Sequence, residues 1–292
     1  MHDQLNANTT TRTSIQFLIA VLTAATLLAL TATSSGAAVI GGDARIRVSP
    51  TTSFPASTIV YIEVRDDMNR VSRCSGTMIS KDTVATAAHC VWDWSAKKYF
   101  RIATMNVIPA LNGFDANRRP VTPYQQCKAR SIWAAGGYRN NAVFSAAVEH
   151  DYGAIKLDCT VGLQTGVMKL YAPTAPQIGE TITAAGYPKY KSPTPAGCWG
   201  TIDNERLDFC QWKHTDKIVA VTARRIGTNA DVTKGQSGGP VYQNRAAGQP
   251  GCVGYCMLAI ISQEPTGDIA YNRATRVTPT VIADLTAIVK QV

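Results

Sequence analysis

Eight short runs, STIVYIEV, SGTMIS, TVATAAH, DYGAIKL, ETITAAGY, KIVAVTARRI, GPVY and MLAIIS, recur through the sequence from Ser57 onward. Val, Ile, Thr and Tyr dominate them, and Gly, Pro, Asn and Asp lie between. Each run is too short to build a core alone, so many such strands must pair into a sandwich or barrel. Helical periodicity is confined to the C-terminus, where Val281, Leu285 and Ile288 recur at i, i+4 and i+7 behind Thr278 as a candidate N-cap and Pro279 in the first turn. The chain reads as all-β with one C-terminal helix. Its 292 residues suffice for one large core or two modest ones. No internal repeat or low-complexity linker divides it. The Pro- and Gly-rich stretch 187–210 reads as a long surface loop tied by Cys198–Cys210.

The N-terminus indicates the compartment. Residues 15–30, IQFLIAVLTAATLLAL, form an apolar run after a polar start containing Arg12. The run is shorter and richer in threonine than a membrane span of roughly 20 residues. The small residues of TATSSGAAVIGG follow and suit signal peptidase, with cleavage after Ala37 or Ala38 and Ala32 as the alternative. Residues 1–38 therefore read as a signal peptide, and the mature chain as secreted, extracellular and free of the membrane. All eight cysteines lie beyond that stretch, an even count that fits an oxidising compartment. Their spacing shows no repeated C-x-x-C, and His89, His150 and His214 are the only histidines downstream. That argues against structural zinc, and no metal or organic cofactor is expected. Sequential pairing, Cys74–Cys90, Cys127–Cys159, Cys198–Cys210 and Cys252–Cys256, would close four local loops.

The net charge of +9 comes from scattered basic residues; Arg118-Arg119 and Arg224-Arg225 are the only paired arginines. A nucleic-acid binder concentrates such charge on one stripe, so a basic surface is the expectation and nucleic acid is not an expected partner.

Three polar residues have flanks that carry chemistry. Ser237 lies in TKGQSGGPVY, His89 closes VATAAHC, and Asp151 opens the apolar strand of HDYGAIKL. Singly, each has a plain reading: a glycine turn, a core histidine, a turn residue before a strand. Together they supply a nucleophile, a base and an orienting acid. The segments TAAHC, DYGAIKL and GQSGGP resemble the three signature segments of the chymotrypsin-like serine proteases, in that family's chain order. Cys74, 16 residues before Cys90, matches the family disulfide that braces the histidine loop. CSGTMISKDTVATAAHCV and the Gly-Gln-Ser form resemble the V8-like, glutamyl-endopeptidase branch more than the animal trypsins.

The resemblance implies two six-stranded antiparallel barrels, 39–165 and 166–292, the second followed by the helix, in a monomer acting on protein or peptide substrates. His89 would carry the proton of the Ser237 hydroxyl, Asp151 would hold the imidazole, and the N–H groups of Gly235 and Ser237 would form the oxyanion hole. His150 falls on the opposite face of its segment from Asp151, and His214 lies in an unmatched loop with no role assigned.

Specificity divides the readings. Asp231 lies six residues before Ser237, where trypsins place a pocket carboxylate, which implies cleavage after Lys or Arg. Cleavage after Glu, as in the V8-like branch, calls for a pocket histidine, and the corresponding residue is Ile261. Ser262 would brace Asp151, the backbone from Ser262 to Glu264 would pair with substrate, and Glu264 replaces a trypsin glycine. VIGGDARI (39–46) is similar to the start of activated trypsins, whose new ammonium pairs with an aspartate before the nucleophile. Gln236 stands there and has no charge, so activity soon after signal removal or a short further trim is expected. A catalytically dead homologue serving as a binding protein usually lacks a triad member or the oxyanion glycine; His89, Asp151, Ser237 and Gly235 are all present.

Overall fold

Residues 39–291, apart from 67, 175, 177, 192 and 264–269, are described by the computed structural model. The signal-peptide expectation (1–38) and Glu264 fall outside the described residues.

From the N-terminus, β1 (Ile46–Arg47) precedes β2 (Ile59–Arg65), β3 (Val71–Met78) and β4 (Thr83–Thr86). A small hairpin of β5 (Trp92–Asp93) and β6 (Lys98–Tyr99) follows, then β7 (Asn106–Pro109), β8 (Cys127–Ala134) and β9 (Gly153–Leu157). Strands β2, β3, β4, β9, β8 and β7 pair in that order into a closed antiparallel barrel. Closure removes the unpaired edges that short strands would otherwise expose.

The second half contains β10 (Lys169–Leu170), β11 (Thr181–Gly186), β12 (Trp199–Ile202), β13 (Glu205–Asp208), β14 (Trp212–Val221), β15 (Arg225–Thr228), β16 (Pro240–Arg245), β17 (Gly254–Gln263) and β18 (Asn272–Arg276). Here β14, β11, β16, β17, β18 and β15 form a second six-membered ring, which closes because β14 also pairs with β15. One half of β14 faces β11 and the other faces β15, with a register shift between Ile218 and Ala220 that turns the strand. The two barrels meet across Tyr61 and Tyr187, whose rings stack edge to face at 5.8 Å.

Four departures from local sequence order matter for the site. Although β1 precedes the first barrel, it pairs with β14 of the second. The stretch 187–210 is not all loop, since β12 and β13 form a hairpin within it. His214 lies on β14 rather than in a loop. The C-terminal helix Pro279–Val289, capped by Thr278 Oγ1 accepting the Val281 N–H, buries Val281, Leu285 and Ile288 in the core that contains Ile155 of the first barrel. Tyr152 fastens it by donating its hydroxyl to Asp284 at 2.6 Å. Short helical turns also occur at Gly136–Asn140, Phe144–Ala147 and Gly162–Thr165.

Disulfides link Cys74 to Cys90, Cys127 to Cys159, Cys198 to Cys210 and Cys252 to Cys256. Among the described residues no helix is long and apolar enough to cross a membrane.

Candidate active site

Ser237 lies on the turn that leads into β16, and three backbone bonds fix it. Its carbonyl accepts the Ser75 N–H of β3 at 2.7 Å. The Gly238 N–H donates to Ile261 C=O at 2.7 Å, and the Ile261 N–H donates to Gly239 C=O at 2.9 Å. The turn of the second barrel is thereby attached to a strand of the first. Ser75 follows Cys74, whose disulfide reaches Cys90, the neighbour of His89. Glycine at 238 is required twice: its φ is +85°, and a Cβ there would lie 2.1 Å from Thr86 Oγ1 and 2.2 Å from Ser75 O.

His89 occupies a short 3₁₀ turn, Ala88–Cys90, with a third of its side chain exposed. Asp151 is buried two residues before β9, in the turn after Val148–His150. One carboxylate oxygen of Asp151 accepts the His89 backbone N–H at 3.0 Å, and the other lies 2.7 Å from His89 Nδ1. That second oxygen also accepts the Ser262 hydroxyl at 2.5 Å. The Asp151 carbonyl accepts Thr275 Oγ1 at 3.1 Å, so two strands of the second barrel grip a residue of the first. Burial alone would raise the Asp151 carboxyl, but the His89 ring, its N–H and the Ser262 hydroxyl outweigh it and hold the carboxyl below its ordinary range. The side chain therefore stays an anion that fixes one imidazole nitrogen and turns the other away from itself.

Gly235 has φ +95° and no room for a side chain, since a Cβ would lie 2.6 Å from Tyr187 O. Its carbonyl accepts Ser75 Oγ at 2.8 Å, and Lys234 C=O accepts the Lys189 N–H. Carbonyl and amide of a trans peptide point in opposite directions, so the Gly235 N–H is directed away from Lys189. Among the described residues neither the Gly235 N–H nor the Ser237 N–H has an acceptor.

Asp231, the expected pocket anion, is 1% exposed, and the Ile40 N–H and Ala44 N–H each donate to one of its oxygens at 2.8 Å. Its own N–H donates to His214 Nδ1 at 2.7 Å. The physical reason is the pairing of β1 with β14, which lays residues 39–45 along the second barrel and brings their amides to the carboxylate. Ile261 is buried in an apolar cluster with Val232, Ala230 and Ala274. His150 lies in the 3₁₀ turn Val148–His150 rather than in an extended segment, with Nδ1 3.3 Å from Arg224 Nη1.

Sequence reasoning missed Arg45, a buried guanidinium that donates to Thr233 and Gln236 beside Ser237. The available signal was Gln236 itself, an uncharged residue where an acid was looked for. As for metals, among the described residues three groupings of Cys, His and Asp come close enough to hold an ion, but each contains both halves of a disulfide, whose sulfurs are no longer thiolates.

A family model described as Trypsin matches residues 44–283. Glutamyl endopeptidase of Bacillus licheniformis is 33% identical over 248 residues, covering 85% of this chain and 68% of that protein. An extracellular metalloprotease of Bacillus subtilis is 27% identical over 244 residues, 82% of this chain and 66% of that one. The chain thus spans about two thirds of the length of each. Among solved structures, a Glu endopeptidase in complex with MPD superposes with a TM-score of 0.67 at 21% identity, covering 87% of this chain and 100% of the other. Protease Anisep from Arthrobacter nicotinovorans gives 0.58 at 17% identity, covering 78% and 93%. These two structural likenesses establish the same two-barrel fold.

Proposed function

The chain belongs to the trypsin family and is a serine endopeptidase; from that premise we propose that His89, Asp151 and Ser237 carry the reaction and that cleavage follows acidic residues. The Ser237 hydroxyl attacks the scissile carbonyl as its proton passes to the imidazole nitrogen of His89 that Asp151 leaves free. The developing oxyanion receives the N–H groups of Gly235 and Ser237. The protonated His89 then gives its proton to the leaving amine, and water repeats the sequence on the acyl-enzyme. The His89–Asp151 contact at 2.7 Å supports this assignment, because it sets the tautomer and stabilises imidazolium.

Acidic specificity rests chiefly on the state of Asp231. With both oxygens taken by backbone amides, it offers no anion to a substrate Lys or Arg. The charged group next to the oxyanion glycine is instead Lys234, which is exposed. The relative from Bacillus licheniformis is a glutamyl endopeptidase, which agrees with that sign. The apolar neighbours of Ile261 favour a second reading, cleavage after a medium-sized apolar residue.

Peptides differing only in Glu, Lys, Arg or Leu at the residue donating the scissile carbonyl separate these readings. Cleavage after Glu, abolished by Ser237→Ala and weakened about tenfold in kcat/KM by Lys234→Ala, is the expected result. Cleavage after Lys or Arg would overturn it, and cleavage after Leu alone would select the apolar reading. Secretion is proposed with it, supported by the apolar run 15–30, the four disulfides and the extracellular relative's name.

A further inference from the structure

We propose that Arg45 is a positioning residue for catalysis: its guanidinium, supplied by the N-terminal segment, holds the turn that bears the oxyanion donors and the nucleophile. The proposal rests on the serine endopeptidase reading of this same site.

Arg45 is 4% exposed and spends its donors on two sides. Nη1 donates to Thr233 Oγ1 at 2.5 Å and to Gln236 Oε1 at 2.9 Å. Nε and Nη2 grip the Asp43 carboxylate at 2.9 and 2.7 Å, and Nη2 also reaches Tyr190 C=O at 3.3 Å. Asp43 in turn lies 3.0 Å from Lys191 Nζ. Burial opposes its charge, but the bonds to Arg45 and Lys191 prevail and lower its carboxyl to about 2. The cation therefore has a fixed anion behind it and a catalytic turn in front.

That turn is closed on itself. The Thr233 N–H donates to Gln236 Oε1 at 2.9 Å, and the Gln236 N–H donates to Thr233 C=O at 3.0 Å. Between these two residues lie Lys234 and Gly235; after them comes Ser237. The Gln236 amide oxygen thus takes donors from both the turn and Arg45, while its buried Nε2 has no partner among the described residues. A buried amide nitrogen without an acceptor is unfavourable, and the opposite rotamer would set an NH₂ against the guanidinium. Arg45 thereby selects the amide orientation that closes the turn and fixes where the Gly235 N–H points.

Residues 39–45 dock at further points on the same wall, with Ile40 and Ala44 on Asp231 and the Asp43 carbonyl on Lys191 Nζ at 3.0 Å. Since Arg45 is an internal residue, this arrangement organises the turn through a side chain and does not call for a free ammonium at one fixed residue.

The test compares the wild-type chain, Arg45→Met, Arg45→Lys and Thr233→Val on one peptide substrate, with circular dichroism to confirm folding. Removing an oxyanion donor typically lowers kcat by ~10²-fold or more, and a turn released from Arg45 is expected to behave similarly. Arg45→Met should lose about 10²-fold in kcat with KM within about threefold, and Arg45→Lys should recover at least about tenfold of that loss. A folded Arg45→Met with wild-type kcat, or a loss confined to KM, overturns the proposal. If Arg45→Met does not fold, Thr233→Val decides: about a tenfold fall in kcat supports the role, and an unchanged kcat overturns it. A wild-type chain without hydrolytic activity would instead refute the endopeptidase reading.

Discussion

The carbonyl oxygen of Ser237 accepts the N–H of Ser75 at 2.7 Å, joining two residues 162 positions apart (237 − 75). Through that bond the turn bearing Ser237 is fixed to β3, where Cys74, the residue before Ser75, is linked to the neighbour of His89. A rigid connection of this kind lets two barrels contribute to one reaction centre with little freedom between them.

The close approach predicts a strong effect of Gly238→Ala. The added methyl would meet Thr86 Oγ1, Ser75 O and the Ala87 backbone at a residue with positive φ. Loss of about 2–4 kcal/mol and of nearly all activity is expected, measured by urea unfolding and initial rates. Gly42→Ala, where a methyl meets nothing within 4 Å, should leave both unchanged.

The Asp151 contacts predict a graded series. Asp151→Asn reverses the hydrogen-bond preference toward His89 Nδ1 and should reduce kcat by ~10⁴-fold. Ser262→Ala removes one donor from the carboxylate and should cost about 1.5–3 kcal/mol of that anion's stabilisation. Its kcat should fall by roughly ten- to a hundredfold, read from pre-steady-state acylation. Equal effects of the two variants would contradict the assigned hierarchy.

Asp231→Asn separates structure from specificity. One oxygen becomes a donor facing an amide N–H, so docking of residues 39–45 should weaken and stability should fall by about 1–3 kcal/mol. The residue preferred before the scissile bond should not change. A switch in that preference, seen in a peptide-library digest, would return Asp231 to the pocket.

Asp208 predicts a pH dependence of stability. Burial raises its carboxyl to about 6, against donation from the Cys210 N–H and the Trp212 indole. Between pH 4 and 6 the folded chain retains a proton that the unfolded chain has released, so this group's contribution to stability falls as pH rises. The full difference is about 3 kcal/mol. In urea titrations, wild type minus Asp208→Asn should lose stability across that window and level off above it.

The amino-acid order by itself determined the strand-rich architecture and the identity of the chemical groups. Alternating β-branched runs broken by Gly, Pro and Asn force short paired strands, and the spacing at Thr278, Pro279, Val281, Leu285 and Ile288 forces a capped helix. The segments around His89, Asp151 and Ser237 carried a family resemblance, and beside Ser237 small residues are needed where backbones approach closely, as the Cβ positions at Gly235 and Gly238 demonstrate. What Asp231 and Arg45 do was decided only by tertiary structure. Both partnerships span more than 185 residues, 191 for Ile40 to Asp231 and 188 for Arg45 to Thr233. They depend on β1 pairing with β14 across the chain rather than on any local period. A carboxylate's role follows from the donors that surround it, and those donors are assembled only when distant segments fold together.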